Sequence, residues 1–392
     1  MTTDFSKKNN KVVGTAPVFL NGITHRKVCK EKKSLSQFQI ALKRLQRNRL
    51  AMICVVILAL FYFGAVFADF LSPYSYQNED RKYSYCPPMK VQFLDEQGKV
   101  RWPYVRGYYF TFDEFHKRVY AMDKFKKYSV KIFTRGDEYR LFGIISCRYH
   151  LFGVDQPGRI HLWGADARGR DLLSRLIFGA RISLSIGLIG VTISFTLGLL
   201  VGGISGYYGG KLDHIIMRLC EMLMMVPGFY LMLALMVIIP PSFNSLQRYI
   251  AIVVVLSFIG WASLARVIRG MSISLREREY VLAAKAIGVS DFAIVVRHIL
   301  PHTLSYSIVA VMLSIPGYIL GEAALSLIGL GIQDPIPSWG NLLSDAMGIV
   351  RIKFAPWILL PGLFIFITVI CFNVVGDALR DYLDPTLSKE GS

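Results

Sequence analysis

Two carboxylates stand inside long apolar segments of this sequence, where an ionisable side chain is costly to place. Glu221 lies within Ile215–Ile239, and Glu322 lies within Leu304–Ile328. Ionisable residues at membrane depth pair with neighbours or mark a polar pathway. We therefore predict that each of them either lines a translocation path or gate, or clamps one helix to another. Arg218 precedes Glu221 by three residues, on the same helix face, and is placed to neutralise it.

The six cysteines of the chain are scattered. Those in apolar segments are expected to act as small packing residues: Cys54, Cys220 and Cys371. Cys29 belongs to a basic N-terminal region and is expected to stay reduced. Cys86 and Cys147 share one long polar segment. If that segment faces an oxidising compartment, the two either form a disulfide or sit apart.

Motifs for catalysis and metal binding are missing from the sequence. It contains no Gly-x4-Gly-Lys-Ser/Thr phosphate-binding loop, no His-Glu-x-x-His and no Cys-x2-Cys. We predict no catalytic residue, no metal site and no cofactor bound by this chain. If ATP drives its function, ATP and Mg²⁺ must bind to separate ATPase subunits.

Six apolar segments are long enough to position these residues within a bilayer. Of the 392 residues, 53% are hydrophobic and 18% are charged, and the mean hydropathy is +0.41. A spanning helix needs about 20 apolar residues. The predicted spans are Leu50–Ala68, Ile182–Ile204, Ile215–Ile239, Ile250–Ile268, Leu304–Ile328 and Trp357–Val375. We predict an all-α polytopic membrane protein with six transmembrane helices.

Basic residues set the predicted orientation. Residues 1–49 hold twelve Lys and Arg against Asp4 and Glu31, which places this segment in the cytoplasm by the positive-inside rule. Six spans, the first at 50–68, return the tail 381–392 to the cytoplasm. The formal net charge of +18 is explained more simply by anionic lipid than by nucleic acid, because no nucleic-acid-binding motif is present.

The polar segment 69–170 is predicted to be a small inserted α+β domain on the extracytoplasmic side. Its strands are predicted at Lys90–Leu94, Val100–Val105, Tyr128–Arg135 and Glu138–Arg148, with turns at Glu96-Gln97-Gly98 and Gly136-Asp137. Phe112–Lys127 is predicted to be helical, because its acids come early and its lysines late. The domain either packs on a partner subunit as a scaffold or docks a solute-binding protein.

A short polar hairpin at 276–301 separates the fourth and fifth predicted spans. Glu279–Ala286 is rich in Ala, Leu and Glu and is predicted to be a helix. Gly288 supplies a turn in which a positive φ costs nothing. Ser290 is predicted to cap a second helix, and Pro301 is predicted to end it.

This hairpin resembles the cytoplasmic coupling loop of ABC-transporter importer permeases. The family pattern is Glu-Ala-Ala, three residues, Gly, nine residues, Ile, one residue and Leu-Pro. The matching positions are Ala283, Ala284, Gly288, Leu300 and Pro301. Leu282 stands where the pattern has Glu, His298 stands where it has Ile, and Glu279 lies about one turn before Leu282. The resemblance implies that these matching positions, together with Glu279, couple the spans to an ATPase.

Further stretches are similar to dipeptide, oligopeptide and nickel importer permeases of the second-subunit type. The matching residues are Arg47–Ala51, Asp166, Gly169, Arg170, Asp171, Ser174, Gly179–Arg181, Gly206–Gly210, Asp213, Met217, Arg218, Glu322–Gly331 and Pro335–Gly340. The similarity covers about 40–72 and 161–387 and leaves out 75–160, although some members of the family carry an enlarged first outer loop.

The resemblance implies a non-catalytic permease subunit of the bacterial plasma membrane, with a core at 171–380. Such a subunit imports di- or oligopeptides with a homologous permease, two ABC ATPase subunits and an extracytoplasmic solute-binding protein. Nickel or another small solute is the alternative cargo. Two readings of a different class are an ion-coupled secondary carrier and a membrane-anchored scaffold, although no pair of matching interrupted spans favours the carrier.

Overall fold

Apolar helices form the bulk of the computed structural model, which describes residues 45–94, 99–114, 118–141 and 144–383. The helices are α1 (Arg49–Val66), α2 (Ala68–Leu71), α3 (Leu172–Tyr208), α4 (Gly210–Met225), α5 (Gly228–Val237), α6 (Ser245–Arg276), α7 (Glu279–Ala286), α8 (Asp291–Ile294), α9 (Leu300–Leu327), α10 (Trp339–Ser344), α11 (Ile349–Phe354) and α12 (Leu360–Leu383). Five helices are long and apolar enough to cross a membrane, and α4 with α5 makes a sixth if the bent pair is one span. The predicted polytopic helical fold is confirmed.

The third predicted span is not the straight helix that was expected over Ile215–Ile239. α4 and α5 are inclined to each other by 88° at the short break between them. Val226 is extended there, with φ −85° and ψ 126°. Pro227 follows it, and the ring of a proline disfavours helical backbone in the preceding residue. Proline can be tolerated within a spanning helix, but Pro227 stands at the break between α4 and α5.

Small residues bring α3 and α6 into close contact along their length. A Cβ atom on Gly202 would collide with the Ala265 carbonyl, and one on Gly206 would collide with the Arg269 carbonyl. Glycines at this spacing let two helix backbones approach closely inside a membrane. The buried core of the helical region extends from this pair to α1, α9 and α12.

A four-stranded antiparallel sheet is inserted between α2 and α3. Its strands are β1 (Gln92–Leu94), β2 (Val100–Phe112), β3 (Arg118–Leu141) and β4 (Ile145–Val154), in the order β1-β2-β3-β4. The β1–β2 hairpin was predicted, although its turn at 96–98 lies outside the described residues. The described part of the insert contains only a short 3₁₀ turn besides the strands, at Arg81–Tyr83.

Two predictions for this insert are wrong. In the range Phe112–Lys127, where a helix was expected, Phe112 ends β2 and residues 118–127 belong to β3, while 115–117 lie outside the described residues. The two strands pair from Tyr104↔Ser129 to Phe112↔Arg118. Charges at the two ends had suggested a helix, but β-branched and aromatic residues fit the paired strands better. The described residues therefore form a β insert rather than an α+β domain.

The turn expected at Gly136-Asp137 is a bulge within one continuous strand. The β3–β4 register shifts between Arg135 and Tyr139, and a Cβ atom on Gly136 would collide with the His150 ring. Glycine inside a strand often marks such a bulge or a close approach. The chain reverses further on, between Leu141 and Ile145.

Candidate functional site

The helix of the polar hairpin has the bounds that the sequence predicted. α7 runs from Glu279 to Ala286, directly after α6 ends at Arg276. Glu279 lies in its first turn and Lys285 in its last turn, so both charges favour the helix dipole. Arg278 precedes the helix in an extended conformation and does not cap it with its side chain.

A Schellman motif closes α7. Gly288 has φ +83°, and its N–H donates to the Lys285 carbonyl at 3.1 Å. The N–H of Val289 donates to the Ala284 carbonyl at 3.1 Å. This pair of bonds needs a residue in the left-handed region, and glycine adopts that region without strain. The predicted role of Gly288 as the turn residue is confirmed.

One face of α7 is fixed to its neighbours. Val281 and Ala284 are buried in a cluster with Ile294 and Ile299. The Tyr280 ring also lies 5.1 Å from the His302 ring at the start of α9. Since these contacts join α7 to the second arm of the hairpin, the helix cannot shift without moving α9.

The other face of α7 is open. Glu279 and Ala283 are exposed, and so is the large apolar side chain of Leu282 (54%). Ile287, directly after the helix, and Phe292, on α8, are also exposed (81% and 59%). Ala284, which the resemblance grouped with Ala283, points inward and is only 5% exposed. A partner that meets this face would therefore contact Ala283 and Leu282, while Ala284 acts through packing.

The second arm of the hairpin differs from the prediction at Pro301. Pro301 does not end a helix but stands in the first turn of α9. Residues Val295–Ile299 form a π-helical turn, in which the Leu300 N–H donates to the Val295 carbonyl. The wider turn accommodates Pro301, which has no backbone N–H to donate to the preceding turn. The helix therefore continues, and Asp291–Leu327 forms one candidate span. Leu300 is buried and Pro301 exposed.

Polar contacts tie the hairpin to the end of α3. The Tyr207 hydroxyl donates to Asp291 Oδ1 at 2.6 Å, and Arg276 Nη1 donates to the Gly206 carbonyl at 3.3 Å. Ser290 precedes α8 but makes no side-chain cap, contrary to the prediction. A cleft of about 330 Å³ opens between these groups, Glu277 and Lys285. The hairpin is thus fastened to three spans.

Comparisons with known proteins agree with this architecture. Residues 197–389 match the family model described as binding-protein-dependent transport system inner membrane component. Residues 36–88 match the N-terminal transmembrane domain of oligopeptide transport permease C. The chain belongs to this permease family. It is accordingly a multi-pass inner membrane protein.

Relatives of the permease carry names for peptide transport. It is 39% identical over 189 residues to the oligopeptide transport system permease protein OppC of Bacillus subtilis, covering 48% of this chain and 59% of that protein. OppC of Haemophilus influenzae is 43% identical, with 47% and 58% covered. The dipeptide transport system permease protein DppC of Bacillus subtilis is 38% identical, with 48% and 58% covered. The matches thus span less than two thirds of each relative's length.

Glu322 is a fully buried carboxylate on α9 of the permease. It is 0% exposed and accepts hydrogen bonds from the hydroxyls of Ser183 (3.3 Å), Ser326 (2.6 Å) and Ser338 (2.7 Å). These serines belong to α3, α9 and the N-cap of α10. Of the two roles predicted for Glu322, this geometry favours the clamp.

Glu221 is half-exposed on α4. Its carboxylate accepts a hydrogen bond from Arg218 Nη1 at 2.8 Å, and the two side chains are 40% and 78% exposed. The predicted pairing with Arg218 is confirmed. Its role in a path or gate stays a prediction.

Two residues that carry the second resemblance, Asp166 and Arg170, form a charge cluster with Arg175 and Asp334. Asp166 accepts from Arg170 Nε at 2.7 Å and from Arg175 Nη1 at 3.2 Å. Asp334 accepts from the same two arginines at 3.1 Å and 2.9 Å. The sequence reasoning missed Arg175 and Asp334, since no local signal connects residues so far apart in the chain.

Asp345 lies beside this cluster and is partly buried. Burial, followed by the nearby carboxylates of Asp166 and Asp334, raises its pKa to about 6. Arg170 and Arg351 act in the opposite direction. Ionisation of Asp345 is therefore less favourable in the folded permease than ionisation of a solvent-exposed aspartate.

The two cysteines of the insert are free in the structure. Cys86 is buried with Met89 and Ala165 at the base of the insert, and this burial raises its thiol pKa to about 12. Cys147 lies on β4 opposite Tyr139. Of the two predicted alternatives for Cys86 and Cys147, the structure therefore has the one in which they sit apart. Cys86 is packed at the base of the insert, whereas Cys147 lies on β4.

Proposed function

We propose that this chain is the transmembrane permease subunit of an ATP-driven importer of di- or oligopeptides. Its partners are a homologous permease, two ABC ATPase subunits and an extracytoplasmic solute-binding protein. ATP and Mg²⁺ bind to the ATPase subunits, and this chain is not catalytic. The names of its relatives, which are oligopeptide and dipeptide transport permeases, support peptides as the cargo.

The geometry of α7 is the observation that carries the proposal. One face of this short helix is buried against the ends of two spans, while the other presents Ala283, Leu282 and Glu279 outward. A helix held in this way acts as a rigid lever. An exposed apolar surface of this kind marks a site of protein contact, and we assign it to the ATPase.

The proposed mechanism is a two-state transition. Closure of the ATPase dimer on ATP moves the cleft in which α7 sits. The displacement passes through Val281 and Ala284 to Ile294 and Ile299, and from there into α9. The spans then exchange inward-open and outward-open arrangements, as in other domain-closure switches.

A cavity between the spans is proposed as this subunit's share of the path. It has a volume of about 500 Å³ and is lined by residues of α3, α5, α6 and α9. Most of its lining is apolar, and its hydroxyl-bearing residues are Ser194, Ser263, Tyr306, Ser314 and Tyr318. The Tyr318 hydroxyl donates to Ser194 Oγ at 2.5 Å, which couples α9 to α3 across the cavity. Such a lining would tolerate varied side chains.

A crosslinking experiment tests the ATPase assignment. The variant Ala283→Cys should crosslink to a cysteine in the ATPase cleft, while Ala284→Cys is the matched inward-facing control. Equal crosslinking of both variants, or of neither, would count against the proposed docking face.

An uptake experiment tests the cargo. Uptake of a labelled tripeptide is compared with uptake of labelled nickel, and uptake of nickel alone would reject the peptide as cargo.

Cysteine variants also test the orientation of the chain in the membrane. We expect residues 1–49 and the hairpin 276–301 in the cytoplasm, with the β insert outside. In a background with Cys29→Ser and Cys147→Ser, an impermeant thiol reagent applied to intact cells should then label Val100→Cys, which is 83% exposed, and should leave Ala283→Cys unlabelled. The reverse pattern would invert the topology.

A further inference from the structure

The first span carries an exposed apolar stripe. Ile53, Leu60 and Phe63 lie on one side of α1 and are 57%, 61% and 53% exposed. They follow the three- and four-residue spacing of one helix face. On a helix that crosses a bilayer, such a stripe faces lipid.

The stripe continues beyond α1 onto the β insert. The Phe63 ring packs on Phe67, with centroids 4.6 Å apart. Phe70, one helical turn further on α2, lies 6.1 Å from the Phe133 ring of β3. Aromatic side chains therefore connect the region where the first span ends to the β3–β4 hairpin.

The base of this hairpin is fixed where the chain leaves the span. His150 Nδ1 lies 2.6 Å from the Ser72 carbonyl, and His150 Nε2 lies 3.0 Å from the Asp137 carbonyl. The Asp137 carboxylate accepts from the Ser75 N–H at 3.1 Å. Because Ser72 directly follows α2, these bonds hold the hairpin at the level where the first span ends.

Beyond its base the hairpin combines exposed apolar and basic side chains. Ile144 is 84% exposed and Ile145 is 59% exposed, at the end where the strands reverse. The Arg135 guanidinium lies over the ring of Tyr149, 5.6 Å from its centroid, and Arg140 is exposed beside the tip. Tyrosine and arginine commonly lie at the headgroup level of a bilayer, where their apolar parts contact the hydrocarbon layer and their polar ends contact water.

We propose that the β3–β4 hairpin is an interfacial membrane-binding element. Ile144 and Ile145 enter the leaflet next to the end of the first span, and Arg135 and Arg140 bind the phosphates of anionic phospholipids. The hairpin is held beside the end of the first span by His150 and Ser72. Its exposed isoleucines and arginines can there reach the apolar and the phosphate layers of the same leaflet, and this position favours phospholipid as the binding partner.

Fluorescence quenching on the full-length protein in nanodiscs tests the proposal. A bimane label is placed at Ile144→Cys or, as the control, at Phe125→Cys, in a background with Cys29→Ser and Cys147→Ser. Phe125 is 95% exposed and lies toward the opposite end of β3. We expect a nitroxide-bearing lipid to quench the Ile144→Cys label several-fold more than the control, and aqueous iodide to show the opposite order.

The lipid headgroup is tested separately. Phosphatidylglycerol in place of phosphatidylcholine should increase lipid quenching at Ile144→Cys, and Arg135→Gln with Arg140→Gln should abolish that increase. The proposal is overturned if iodide reaches both labels equally. It is also overturned if shielding of Ile144→Cys arises only when the homologous permease is added, because the hairpin would then bind protein rather than lipid.

Discussion

Substitution of Gly288 offers a graded test of the coupling hairpin. Gly288 has φ +83°, and a Cβ atom added there would meet nothing within 4 Å. The cost of a side chain is therefore backbone strain alone, about 1–2 kcal/mol for an ordinary L-residue in the left-handed region. That energy corresponds to a factor of roughly 5–30 in the population of the closed turn.

The expected order follows from the tolerance of each residue for a positive φ. Gly288→Asn should retain most transport, because asparagine visits this region readily. Gly288→Ala should lose more and Gly288→Val more still, because a β-branched side chain is least tolerant there. Gly288→Pro should abolish transport, because proline cannot adopt this φ and lacks the N–H that donates to the Lys285 carbonyl.

Uptake and membrane abundance are measured together in the same cells. Gly270→Ala is the matched control, because an added Cβ there also meets nothing within 4 Å and Gly270 has no positive φ. Alanine inside a helix should if anything stabilise α6, by about 0.5–1 kcal/mol. Wild-type uptake by Gly288→Val at normal abundance, or an equal loss in Gly270→Ala, would refute the reasoning.

Three further predictions concern single positions. Ala284→Leu should lower uptake and abundance by overpacking the buried cluster, by about 1–3 kcal/mol, whereas Ala283→Leu should leave abundance normal; equal abundance would contradict the inward placement of Ala284. Glu322→Ala should lower the thermal midpoint, since three hydroxyls lose their acceptor at about 1–3 kcal/mol, and Glu322→Gln should restore part of it; an unchanged midpoint in both variants would exclude the clamp. Asp345 has its pKa raised from 3.8 to about 6 in the folded protein, so its ionisation costs stability as the pH rises through that window. Asp345→Asn should therefore be more stable than wild type at about pH 8 and equal to it below about pH 4; a difference that does not depend on pH would contradict this.

The coupling hairpin could be predicted from the sequence because its determinants are local. Glu279–Ala286 contains strong helix formers, and one glycine two residues after the helix sets its end. Each of these signals acts within a single turn of chain. The structure accordingly reproduces the helix bounds and the positive φ of Gly288.

The β insert could not be predicted in the same way, because its strands are set by pairing between distant residues. Tyr104 pairs with Ser129, and Val130 pairs with Val154. No local pattern shows that Gly136 approaches His150 and bulges rather than turns. The prediction that Pro301 ends a helix was wrong for a related reason. The π-helical turn before it is stabilised by packing of Val295 and Ile299, which belong to two different buried clusters.

The two ends of α9 connect the coupling hairpin to the charge cluster of Asp166, Arg170, Arg175 and Asp334. α9 has 28 residues and is therefore about 42 Å long at 1.5 Å per residue. Its hairpin end is packed against α7, and its far end holds Glu322, which is bonded to serines on α3 and α10. After α9 ends, Asp334 bonds to the arginines near the start of α3.

A helix fixed at both ends transmits a displacement rather than absorbing it. The π-helical turn at Val295–Ile299 directly precedes α9, and such turns often occur at functional sites. If α7 is driven by an ATPase, a conversion of this turn to regular α-helix would rotate α9 relative to the hairpin. It would thereby reshape the cavity that α9 lines with Tyr318.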